Sequence, residues 1–133
     1  MKSADATKMM NAARAKANEM GKAVSIAILD ANGIMVAFER VNDAPPFTSV
    51  VAEGKASASA FMGRDSGALA AFATNAPAIM NAVSMRLGGR FAPHQGAVVI
   101  RNDAGVQGAI GVSGATSEED EAIARAGAEA YVD

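Results

Sequence analysis

Apolar residues in this chain follow two periods. Ala6, Met9, Met10, Ala13, Ala17 and Met20 recur three or four positions apart, which gives an apolar face to a helix from Ser3 to Met20. Ser3 can cap that helix and Gly21 suits its end. From Val24 the period shortens to two: Val24, Ile26 and Ile28 point one way, Ser25, Ala27 and Leu29 the other. Asp30-Ala31-Asn32-Gly33 is turn chemistry, with Gly33 free to take positive φ. Alternation resumes through Ile34, Val36 and Phe38 to Arg40, so the segment predicts a β-hairpin.

Val41 to Pro46 reads as a loop, because Pro45-Pro46 forbids a continuing central strand. Thr48 or Ser49 then caps a helix through about Phe61, with Val50, Val51, Gly54, Lys55, Ala58 and Met62 on its stripe and Gly63 at its end. Ser66 to Phe72 and Pro77 to Leu87 predict two short helices, the second opening on a proline tolerated in a first turn. Gly88 to Gln95 is irregular. Ala97 to Arg101 and Val106 to Val112 form a second hairpin around Asn102-Asp103-Ala104-Gly105. Thr116 and Glu119 match a capping box for a last helix reaching about Tyr131. Two hairpins separated by helices favour an antiparallel sheet with helices packed outside it. The run Ser113 to Asp120 joins the last strand to the last helix, and a loop of this kind lines a concave corner with backbone N–H groups.

A length of 133 residues fits one domain. Half the residues are apolar, which excludes disorder, yet no apolar run approaches the roughly 20 residues of a membrane span. Twelve basic against 14 acidic side chains leave a formal net charge of −2, so neither nucleic acid nor a membrane surface is an expected partner. Cysteine is absent, which removes disulfides, thiol nucleophiles and cysteine metal sites. With no apolar leader pattern at the start, a cytoplasmic location is expected. Eight methionines can fill gaps in a tight core or soften a pocket for a flat ligand.

Several pieces together resemble the GlcG/HbpS family, which includes the C-terminal domain of PduO-type proteins. They are Val24 to Gly33, Arg40 with Asp43-Ala44, Lys55-Ala56, and Gly108-Ala109-Ile110-Gly111-Val112-Ser113-Gly114-Ala115-Thr116 followed by Asp120-Glu121. The match runs through nearly the whole chain in order. It implies a profilin-like α/β (α+β) domain over residues 1–133, with an antiparallel sheet of about five strands and helices outside, assembled as a homo-oligomer. Family members include haem binders and proteins of corrinoid metabolism, so the resemblance implies haem, or a related planar or acidic small molecule, as ligand.

His94 is the one histidine; a neutral imidazole can ligate haem iron or move protons near pH 7. A zinc site is not expected from a single histidine without cysteine. Arg90, after Gly88-Gly89, has a planar fork suited to a carboxylate, with Gly89 permitting close backbone approach. Arg40 is a comparable candidate, or else pairs with Glu39 or Asp43. Lys55, between Gly54 and Ala56, can grip an anion or pair with Glu53 or Asp120. Ser113, Gly114 and Thr116 form the ligand-facing corner, or simply cap the last helix. The expected pocket lies between the Lys55 helix, the 90–94 loop and the 113–116 corner. Three functions are open at this point. One is a haem-binding module with His94 as ligand. Another is a small isomerase- or tautomerase-like enzyme of catabolism, with Arg90 or Arg40 orienting a carboxylate and His94 or Lys55 as catalytic proton carrier. The last is an accessory oligomer without chemistry.

Overall fold

Both predicted hairpins form, and they share one sheet. In the computed structural model, which describes residues 1–132, the hairpins are β1 (Ser25–Asp30) with β2 (Met35–Arg40), and β3 (Ala97–Asn102) with β4 (Gly105–Ser113). The helices are α1 (Ser3–Glu19), α2 (Phe47–Met62), α3 (Ala70–Asn75), α4 (Pro77–Arg86) and α5 (Ser117–Ala128), with a 3-10 turn at Ser66–Leu69 before α3. The sheet is antiparallel with order β2-β1-β4-β3, so the described residues hold four strands rather than about five. The hairpins meet through β1 and β4, where Ile26 faces Val112 and Ile28 faces Ile110.

The two alternating sets of β1 are both buried, because helices cover both faces of the sheet centre. Ile26, Ile28, Val98, Ile100, Ile110 and Val112 pack against α1 and α5, whose contributions include Met9, Ala13, Ile123 and Ala124. Ala27, Leu29 and Ala109 pack against Ala52, Ala56 and Ala60 of α2. That second layer is made almost wholly of alanine, so α2 lies close to the sheet. A Cβ at Gly111 would collide with Ala52 O and come within 2.7 Å of Ala56 N, which explains the glycine in the middle of β4.

The α2 stripe departs from the expected one. Ala52, Ala56 and Ala60 face the sheet, Gly54 carries the 91–96 loop with Ala92 N donating to Gly54 O at 3.0 Å, and Val50 is 71% exposed. Small residues on a helix hide its buried side from a hydrophobicity count. The N-terminus also differs: α2 starts at Phe47 behind Pro46, and Thr48 turns inward to share a 2.8 Å hydrogen bond with Ser25. At the last helix the expected capping box is present, Thr116 Oγ1 accepting from Glu119 N at 3.2 Å and Glu119 Oε1 accepting from Thr116 N at 3.1 Å.

Candidate functional site

Lys55 projects from α2 toward the junction of β4 and α5. Its ammonium donates to Val112 O at 3.0 Å and pairs with Asp120 at 3.2 Å, both side chains being buried. A Cβ on Gly96 would stand 2.5 Å from that ammonium, so the glycine at the start of β3 makes room for it. Asp120 also accepts from Ala115 N at 2.9 Å. Burial pushes the Asp120 carboxyl upward, outweighing the opposing pull of the Ala115 N–H and the Lys55 charge. Of the two partners offered by the sequence, the one distant in the chain is the one used, since α5 packs onto the strand end that faces α2.

This pair changes the reading of the 113–116 corner. The N–H groups expected to cradle a ligand are answered by the corner's own acids: Ala115 by Asp120 and Thr116 by Glu119. Glu119 is held below the usual carboxylate range chiefly by the Thr116 N–H, with Lys22 at 3.2 Å contributing. Gly114 is there for packing, as a Cβ would sit 3.0 Å from Val24 Cα and 2.5 Å from Ala23 O. Ser113 is buried, and Thr116 is the cap of α5. The corner is therefore a self-neutralised helix start, not an open anion cradle.

What remains open beside it is a shallow cavity of about 240 Å³, lined among others by Phe47, Val51, Lys55, His94, Ser113 and Ser117. His94 is exposed, and its Nε2 shares a 3.0 Å hydrogen bond with Ser117 Oγ. Its Nδ1 has no partner among the described residues. Phe47 is 62% exposed, so an apolar ring stands in solvent next to the imidazole.

The structure brings Lys55, His94, Ser113 and Gly114 to one cavity, as expected, but not Arg90. Arg90 lines a separate cavity together with Arg86, against the other flank of α2. Gly89 takes φ of 82° in the turn before Arg90, with open space around it. Arg40 ends β2 opposite Ser25, exposed and without an ion-pair partner among the described residues. Glu39, offered as its partner, instead accepts from Arg14 of α1, including a 2.8 Å bond from Nη2. The arginine-plus-base constellation needed for proton transfer is thus not assembled: Lys55 is closed within its pair and Arg90 does not share the cavity of His94. Arg86 was missed by the sequence reading. The signal for it was its spacing of four from Arg90 across a glycine pair.

A family model described as "Haem degrading protein HbpS-like" matches residues 1–129. The chain belongs to this HbpS-like family. No curated protein gives a significant match. Among solved structures, HbpS is 28% identical with a TM-score of 0.87, covering 100% of this chain and 91% of that one. A PduOC:heme complex is 24% identical with a TM-score of 0.85, over 98% and 94%. Klebsiella pneumoniae protein ORFY, assigned to DUF336, is 21% identical with a TM-score of 0.88, over 98% and 90%. The last two share the fold of this HbpS-like chain; at such identity they carry no residue roles. The four-stranded sheet with helices on both faces is accordingly the family architecture, and no helix among the described residues is long and apolar enough to cross a membrane.

Proposed function

We propose that this HbpS-like chain is a small-ligand-binding protein whose ligand is haem or a related planar molecule, held at the His94 surface. The observation that carries the reading is the chain's one imidazole, solvent-facing and lining one cavity with the exposed ring of Phe47 and the half-buried Val51. The family description and the heme bound by a PduOC relative support it.

The residues fit such a group in kind. His94 would hold the iron of a haem through its free Nδ1, and Phe47 would supply apolar contact to the macrocycle. When bound, haem supplies an iron centre for redox or ligand exchange. Ser117 would fix the imidazole orientation through Nε2, as outer partners do for metal-bound histidines. The described residues offer no cluster of three histidine, cysteine or carboxylate side chains, so His94 is the ligand on which the reading rests. A cavity of about 240 Å³ cannot enclose a macrocycle, so the ring would lie largely across the surface. A second copy covering its outer face is consistent with the expected homo-oligomer. Haem titration followed by its Soret band tests this: His94→Ala is expected to shift the band and weaken binding at least tenfold. Equal affinity and an identical spectrum in the variant would remove His94 from the site.

A further inference from the structure

A cavity of about 420 Å³ lies between the β1–β2 turn, the C-terminal half of α2 and the end of α4. Its size falls within the roughly 300–1,000 Å³ of small-molecule sites. The positions of α2 that line it (Ser57, Ala60 and Phe61) are rotated away from Phe47, Val51 and Lys55, which line the His94 cavity, so the two hollows sit on different flanks of one helix.

Two guanidiniums face it. Arg86 ends α4, and Arg90 follows a turn in which Gly88 and Gly89 take φ of 65° and 82°. Gly89 N donates to Ser84 O at 2.8 Å, which closes the helix and folds Arg90 back. Arg90 Nε donates to Leu87 O at 3.3 Å, so the stem is tethered while both terminal nitrogens remain available. Neither arginine has an acidic partner among the described residues. A basic residue in the last turn complements the α4 dipole, but that accounts for one arginine, not two.

The second observation is Ser57. Its residue is only 5% exposed, it lines the same cavity, and its hydroxyl makes no hydrogen bond to any described residue. Among the described residues, the side-chain atom sealed from solvent without a partner is Ser59 Oγ, so the Ser57 hydroxyl keeps access to the cavity and is free to bond a guest there. Phe61 and Ile34 add apolar wall to the same cavity.

We infer that this cavity binds a small aromatic or similarly flat carboxylic acid bearing a second, neutral hydrogen-bonding group. The carboxylate bridges Arg86 and Arg90, the ring lies on Phe61, and the neutral group reaches Ser57. The site is independent of the haem reading. Three probes separate its parts in amide chemical-shift titrations: benzoate, 4-hydroxybenzoate and the uncharged benzyl alcohol. Both acids are expected to move the amides of Asn32, Ser57 and Arg90 saturably, and benzyl alcohol to leave them in place. Arg86→Gln/Arg90→Gln should weaken both acids at least tenfold, in line with the loss of charge-assisted bonds. Ser57→Ala should erase the preference for 4-hydroxybenzoate over benzoate while leaving benzoate unchanged, and His94→Ala should alter neither acid. If the double variant does not fold, Arg90→Gln alone, on an exposed turn, carries the test. Absence of saturable shifts at these amides, equal binding of benzyl alcohol, or unchanged affinity in the arginine variant would overturn the inference.

Discussion

Lys55 carries a charge from α2 into the buried junction of β4 and α5, and Asp120 answers it there. Removing one member leaves the other buried without a counter-charge, so Lys55→Met or Asp120→Asn alone is expected to cost about 3–5 kcal/mol in urea unfolding. Lys55→Met combined with Asp120→Leu should cost much less than the sum of the single changes, because no charge is then stranded. A cost for the double variant equal to that sum would show that the two side chains act separately. Glu39 sets a pH dependence of opposite origin. The hydrogen bond from Arg14 holds its carboxyl below the usual range. Its contribution to stability is therefore complete above the unfolded carboxyl pKa of about 4.3 and is lost as pH falls through the lower folded value. Glu39→Gln should flatten the acid limb of a plot of urea midpoint against pH. Asp120, pushed upward by burial, works in the other sense, its share fading as pH rises from that same unfolded range.

At the scale of elements, α2 sets the geometry of both hollows, and it does so through small residues. Gly111→Ala would drive a methyl into Ala52 O and Ala56 N, so a loss of about 3 kcal/mol or more is expected in thermal unfolding, the upper end of overpacking costs. Unchanged stability there would mean that α2 can lift from the sheet without penalty. The same smallness limited what the sequence revealed. The hairpins were legible because Val24 to Leu29 and Ala97 to Val112 alternate between turn residues of unmistakable chemistry. The face of α2 was not, because alanine carries little hydrophobic contrast while Val50 and Phe61, which do, point to solvent. The Lys55–Asp120 contact was one of two weighed partners, and only packing of α5 on β4 could choose between them. The separation of Arg90 from His94 was illegible, since the three intervening residues of irregular loop fix no direction. The self-capping of the 113–116 corner was half visible in the Thr116–Glu119 spacing, but its consequence for ligand binding needed the Ala115–Asp120 bond.

For the whole molecule, the uncovered side of the hairpin matters most. Met35, Phe38 and Val50 stand exposed around one groove between β2 and α2. Apolar side chains gathered in this way favour association of copies. Light scattering is expected to give a mass above that of one 13.4 kDa chain, and Phe38→Glu/Val50→Glu to lower it toward the monomer with helical content retained. A monomeric parent would refute that assembly. The alanine layer beneath α2 has one more consequence. Any side chain larger than a methyl at Ala52, Ala56 or Ala60 would have to push the helix off the strands, so the spacing of the whole layer is fixed by its smallest members.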